Sequence, residues 1–400
     1  MKISERVRAI RPSPTLEATA RSIALRAQGV DLVDLAAGEP DFDTPEHIKR
    51  AAVEALARGA TKYTAVGGTE TLKAAIITKL RRDNGLEYSP QEVIASVGGK
   101  HSLYNAFLAL FDPGDEVIVP SPYWTSYPDM LALAEATPVL LPAPESRGFK
   151  ISVESLRRVL TPRTRGFIFN SPSNPTGVAY AETELRDLIE VLRPVPHVTV
   201  ISDDVYERIL YDGRETPPHI GVLAPDLRDR LVIANSVSKS YAMTGWRIGY
   251  TAAPAPLVMA MATLQGQSTS NPTAVAQAAA AAALAGSQEC VGLMVREFER
   301  RRDFVVRRLA EIPGVSVVRP DGAFYVFPNV SAYFGRRWAK GEITNGTDLA
   351  SYLLEVGKVS LVGGDAFGSS GHIRISYANS MENLSRAFDR MEAALKELRG

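Results

Sequence analysis

Between residues 48 and 290, short apolar runs rich in β-branched residues alternate with longer stretches whose apolar positions recur every three or four residues. The short runs predict strands at 92–97, 116–120, 138–141, 166–170, 198–202, 231–235 and 247–252; the longer ones predict helices such as 100–110 and 181–192. Strands that alternate with helices build a mostly parallel central sheet flanked by helices, the α/β class. An alanine-rich run at 278–283, stopped by Gly286, predicts a tightly packed helix. Beyond residue 290 the texture changes. A charged helix is predicted over 297–309, its arginines interleaved with acids and therefore read as a solvated face. Short strands follow in GVSVVRP (314–320), GAFYVFP (322–328), GKVSLVGG (357–364) and HIRISYA (372–378), which describe a smaller α+β domain. The expected organisation is an arm over 1–47 that joins the small domain, a large ligand-binding domain over 48–290, and a small C-terminal domain over 291–400. In such a sheet, ligands bind outside the carboxyl ends of the strands.

Composition narrows the classes. The 400-residue chain carries 45 Lys and Arg against 45 Asp and Glu, so it offers no basic footprint for nucleic acid or an anionic membrane. Cys290 is the only cysteine, which excludes a disulfide framework and a four-cysteine metal site. The opening MKISERVRAIRP is too charged for a signal peptide, and the apolar stretch at 252–264 is broken by Pro254 and Pro256. A cytoplasmic enzyme is the expectation. His47, His101, His197, His219 and His372 lack ligand spacing, so no metal is expected. Dinucleotide-binding, Walker, zincin and serine-hydrolase motifs are absent.

The chemistry gathers at predicted strand ends, in GGKHSL (98–103), SPYW (121–124), NSPSNPTG (170–177), SDDVY (202–206) and NSVSKSYAMTGWRIGY (235–250). Asp203 follows the apolar strand VTVIS, and Tyr206 shares its turn. Lys239 comes one crossover and one strand later, among small residues, with Arg247 close behind. Pyridoxal 5′-phosphate explains the set. It needs an amine for its aldehyde, an anion to keep its pyridine nitrogen protonated, a donor to its phenolate oxygen, an aromatic stacking face and a phosphate cup. Lys239, Asp203, Tyr206, Trp124, and the group Ser236, Ser238 and Arg247 supply these in turn. Gly98, Gly99 and Lys100 open a helix whose bare N–H groups suit the same phosphate. Gly67–Gly68 and Gly363–Gly364 read as turns needing positive φ, and Met243 and Trp246 as packing beneath the cofactor loop.

These fragments, with RPSPT (11–15), LAAGEPDFDTP (35–45) and TKYTAVGG (61–68), resemble the class I, fold type I pyridoxal-phosphate aminotransferases over nearly the whole chain. Their closest similarity is to the bacterial aspartate aminotransferase subgroup that includes aspartate/prephenate enzymes. The resemblance implies transamination between L-aspartate or L-glutamate and a 2-oxo acid. Prephenate or aromatic transamination, or a β-lyase on the same fold, is the alternative. It also implies roles. Lys239 links to the cofactor and, once freed by substrate, moves the proton between Cα and C4′. Asp203 pairs with the pyridinium, Tyr206 and Asn174 donate to the phenolate oxygen, and Arg374 clamps the substrate α-carboxylate with Asn174 and the Gly38 backbone. Tyr63 reaches the phosphate of a neighbouring subunit, which implies a homodimer with composite sites. The stretch QGQSTSNP (265–272) lacks the arginine by which animal-type enzymes read a side-chain carboxylate. Lys100 with Ser13 and Thr15 resembles the bacterial alternative.

Overall fold

The computed structural model describes residues 1–398; the last two residues of the expected small domain, 399 and 400, lie outside the described residues. After β1 (Val33–Asp34), the central sheet is built from β2 (Val93–Ser96), β3 (Glu116–Ser121), β4 (Thr137–Pro142), β5 (Thr164–Asn170), β6 (Thr199–Asp203), β7 (Leu231–Ser236) and β8 (Gly249–Ala252). Each of the seven sheet strands read from the sequence is present, with ends that agree to within two residues. Their order is β2-β8-β7-β6-β5-β3-β4. Neighbours from β7 to β4 pair in parallel, whereas β8 runs antiparallel to both β2 and β7. The carboxyl ends of β2, β3, β5, β6 and β7 therefore share one edge with the amino end of β8. That edge carries the site.

Side-chain alternation explains why the sheet is covered on both faces. Phe167, Phe169, Val200 and Ile233 pack with Ile76, Leu80, Leu185 and Leu188 from helices Glu70–Asn84 and Glu182–Leu192. Ile168, Ile201 and Val232 face the other way, onto Leu103 and Phe107 of helix Gly99–Leu110 and Met261 of helix Ala255–Ser268. The alanine run lies within helix Ala274–Ala285, which ends at Gly286 as expected. No single helix among the described residues is long and apolar enough to cross a membrane.

A separate buried cluster organises the rest of the chain. Phe298, Phe324, Tyr325, Ile375 and Leu384 pack together with Val33 and Leu35, so the N-terminal segment joins this lobe. β1 pairs in parallel with Val359–Ser360, and Ile373–Ser376 lies between Val362–Gly363 and Tyr325–Val326. Three expectations are corrected here. GVSVVRP forms no strand; it touches its neighbour through one bridge, Ser316 to Asn329, while Val315 and Val317 pack against the cluster. A strand requires a partner, which a local run of valines does not reveal. The charged helix runs from Glu289 to Ala310, and its arginines are not all solvated. Arg301 is buried against Asp41 and Glu297, and Arg302 against Glu299 and Asp303. Of the two glycine pairs only Gly68 has positive φ; Gly363 and Gly364 instead allow close backbone approach, since a Cβ would lie 2.4 Å from Thr347 Oγ1 or 2.1 Å from the Ser369 carbonyl.

Candidate active site

The strand ends line a cleft of about 380 Å³, closed on one side by helix Pro14–Ala27 and on another by Tyr325 and Arg374 from the small lobe. Asn170, Asp203 and Ser236 sit at the last positions of β5, β6 and β7. Hydrogen bonding between neighbouring parallel strands brings them side by side: Asn170 is in register with Asp203, and Asp203 with Ala234 of β7. Asp203 is buried; one carboxylate oxygen accepts the Tyr127 hydroxyl at 2.5 Å. It makes no ion pair among the described residues, and burial raises its pKa to about 6. Tyr206 follows on the same turn, its hydroxyl 2.9 Å from that of Tyr325.

Lys239 lies on the loop after β7. Val237, Tyr241 and Met243 anchor that loop in the core, and the Met243 N–H closes it on the Ser238 carbonyl at 3.0 Å. The Lys239 ammonium donates to the Gly38 carbonyl at 2.5 Å. Burial pushes its pKa down to about 8, with Glu39 opposing and Arg374 and Arg247 adding to the fall. Segment 38–44 is strapped to the same loop by Thr44 Oγ1, which donates to the Ala242 carbonyl at 2.6 Å, and by Glu39, which accepts from Thr244 at 2.7 Å. Trp246 packs beside the loop and donates to Thr44 at 3.0 Å.

Arg374 is almost wholly buried (1% exposed). It donates to the Asn174 side-chain oxygen at 3.1 Å and to the Ala36 carbonyl at 2.7 Å, and stacks 4.5 Å from the centre of the Tyr325 ring. Its Nε has no partner, and it makes no ion pair among the described residues. A buried guanidinium held only by neutral acceptors is a standing anion site. The residues thus fit a carboxylate substrate.

They also fit the cofactor expected from the sequence. Arg247 adopts φ 58, a costly conformation for a non-glycine residue, and its guanidinium crosses Gly98, where a Cβ would lie 2.2 Å from Nη2. Gly98 itself has φ 86 and opens helix Gly99–Leu110 with no side-chain cap, leaving N–H groups free for an anion. Ser236, Ser238, Gly99 and Lys100 line the same wall. Ser236 Oγ accepts from the Ser238 N–H at 3.3 Å. Trp124 lines the cleft, edge-on to Tyr127, with the Lys100 ammonium 5.2 Å above its ring. Burial and Arg247 lower the Lys100 pKa, and Lys100 has no carboxylate in ion-pair contact among the described residues. Ser13 and Thr15 enter from the arm.

Of the predicted residues, Tyr63 is 90% exposed and does not line this cleft; Gly98 lies just behind the lining, against Arg247 and next to Gly99, which does line it. Tyr325, Asn170 and Glu39 also line the cleft and Tyr127 supports Asp203, although their sequence context does not mark them. Tyr325 lies inside GAFYVFP, where its alternation reads only as a strand. Tyr127 lies near the start of helix Ser126–Leu133, and its contact with Asp203 joins segments 76 residues apart, which neither segment reveals by itself.

Residues 30–391 match the family model for aminotransferase class I and II. The chain is 48% identical to the aspartate/prephenate aminotransferase of Nitrosomonas europaea over 99% of its own length and 100% of that protein's. It is 50% identical to the protein of that description from Cereibacter sphaeroides, over 98% of each. Among solved structures, the aspartate aminotransferase of Rhizobium meliloti superposes with a TM-score of 0.95 at 46% identity, covering 100% of both chains. That of Thermus thermophilus with maleate gives 0.91 at 42%, covering 98% of this chain and 100% of that one. The chain belongs to the class I and II aminotransferases, with their fold and their transfer of amino groups between amino and 2-oxo acids.

Proposed function

We propose that this enzyme moves amino groups between aspartate or glutamate and a 2-oxo acid, oxaloacetate or 2-oxoglutarate, with pyridoxal 5′-phosphate held in the cleft. Arg374 carries the reading: a buried guanidinium in the same cleft as Asp203, a buried carboxylate, neither of them in an ion pair among the described residues. Each is penalised by burial unless a ligand brings the opposite charge. A substrate α-carboxylate answers Arg374, and a protonated ring nitrogen answers Asp203. When bound, the cofactor supplies the carbonyl that takes the amino group and the ring that withdraws electrons.

The chain's own part is positioning and proton transfer. Lys239, its amine pushed toward neutrality, takes and returns the proton at the substrate α carbon. Asp203 holds the ring-nitrogen proton, Tyr206 and Asn174 donate toward the phenolate oxygen, and Trp124 stacks. Ser236, Ser238, Arg247 and the backbone at Gly98, Gly99 and Lys100 bind phosphate. Gly38 and Asn174 assist Arg374 at the α-carboxylate. The exposed Tyr63 reaches the phosphate of a second copy in a homodimer, and the exposed apolar side chains of Val53, Leu56 and Met259 are in keeping with such a partner. Residues 1–47, 48–290 and 291–400 act as arm, cofactor domain and small domain, and the enzyme works in the cytoplasm.

Lys100 with Ser13 and Thr15 reads the second carboxylate. The names of the relatives and the maleate (a dicarboxylate) of the Thermus structure support this choice, and prephenate belongs in the acceptor panel. The test is kcat/KM for Lys100→Ala across donors. Loss of a charge-assisted contact of about 2–4 kcal/mol lowers activity toward aspartate and glutamate roughly 30- to 1,000-fold, and toward phenylalanine far less. Equal losses for acidic and neutral donors would reassign Lys100 to the phosphate wall or to its contact with Trp124.

A further inference from the structure

We propose that Glu207 is a positioning residue that sets the phosphate cup through Asn235; the proposal rests on the cofactor reading above. Glu207 follows Tyr206 but lies outside the cleft, 2% exposed. Its carboxylate accepts from the Lys79 ammonium, from Asn84 Nδ2 at 2.6 Å and from Asn235 Nδ2 at 2.6 Å. Lys79 also donates to Asn84 Oδ1 at 2.7 Å. Asn235 is the penultimate residue of β7, and its Oδ1 accepts the Ser236 N–H at 2.7 Å. One carboxylate therefore joins helix Glu70–Asn84, the turn bearing Tyr206 and the strand end bearing Ser236.

Stability alone is a poor account of this cluster. Desolvation of two buried charges offsets much of their attraction, and well-packed apolar residues hold a fold as well. An apolar pair has no directionality. A carboxylate only accepts, so it admits one orientation of the Asn235 amide, with Nδ2 toward Glu207 and Oδ1 toward Ser236. That bond fixes the Ser236 backbone. Ser236 Oγ in turn accepts from the Ser238 N–H, which leaves its hydroxyl proton to donate to an anion in the cleft. The orienting chain thus runs from Glu207 through Asn235 to the hydroxyl that faces phosphate.

The test separates this role from simple support. Full-length apo-protein is titrated with pyridoxal phosphate and with pyridoxal, and the ratio of the two Kd values is read. A loss of general order weakens both ligands alike, whereas a misaligned cup weakens only the phosphorylated one. In Lys79→Gln/Glu207→Gln, which swaps the ion pair for neutral amides, the preference for the phosphate form is expected to fall about tenfold. Asn235→Ala, which breaks the chain at its middle, is expected to do the same and is decisive if the double variant does not fold. A fall of less than threefold in the folded variant overturns the proposal. Wild-type protein with no preference for the phosphorylated form would instead overturn the cofactor reading.

Discussion

Lys239 and Arg374 both hold charge where the fold alone would not choose it. With a pKa of about 8 against 10.5 for the free side chain, Lys239 penalises the folded apo-protein whenever its amine is charged. Below pH 8 both folded and unfolded states bind the proton and the penalty is complete. As pH rises through 8 the folded state releases it first, and stability climbs until about 10.5. Lys239→Met is therefore expected to stabilise the apo-protein at pH 7 by up to about 3 kcal/mol. That gain should shrink toward pH 10, as urea denaturation at both values would reveal, while transamination is nearly abolished. A gain independent of pH would mean the amine is not the cause. Arg374 makes the same argument without pH. Replacing it by Met removes an uncompensated buried charge but also two hydrogen bonds. The apo-protein should change by less than about 1 kcal/mol while kcat/KM falls at least 100-fold. A stability loss of several kcal/mol with little change in rate would make Arg374 a structural strut.

At the scale of elements, the site depends on how closely β8 approaches the start of helix Gly99–Leu110. A Cβ on Gly249 would lie 2.3 Å from the Gly99 nitrogen and 2.4 Å from the Gly98 carbonyl carbon, both backbone atoms that no rotamer change can move. Gly249→Ala is expected to lose about 3 kcal/mol or more of stability and to push the helix start away from Arg247. Gly245, four residues before β8 with open space around it, is the control: Gly245→Ala should stay within about 0.5 kcal/mol. Chemical denaturation of the two variants decides the point, and equal effects would show that close backbone approach is not what Gly249 provides. The arm works differently. Helix Pro14–Ala27 buries only Ser22, yet it carries Ser13 and Thr15 to the cleft, so its value lies in what it presents.

For the whole molecule the outstanding question is Tyr63. It points to solvent in the single chain, so its predicted contact with phosphate requires a second copy. Lys239→Ala and Tyr63→Ala subunits, each weak alone, should regain activity when dissociated and reassociated together. One site of each mixed dimer then combines Lys239 of one chain with Tyr63 of the other. Random pairing makes roughly half the dimers mixed, so recovery approaches one quarter of the wild-type activity. Mixed dimers with no gain in specific activity would place Tyr63 outside the site altogether.

Local pattern was enough to determine the seven sheet strands, because each is a short apolar run bounded by turn residues. It was also enough to mark the fragments around Lys239, Asp203 and Arg247, because an acid, an amine and a guanidinium gather there with small residues at successive strand ends. The direction of β8 was not legible: apolar alternation is the same read either way, yet its reversal is what brings Arg247 to the shared edge. Nor was Tyr325, whose phenol meets Tyr206 only because the second cluster docks a strand from over a hundred residues away. The buried state of Arg301 and Arg302 was likewise hidden, since the interleaved acids of a helix look solvated until a neighbour such as Asp41 arrives. Residue type and local period are properties of a segment and can be read from it. Partnership is a property of two segments, and only the packed chain decides it.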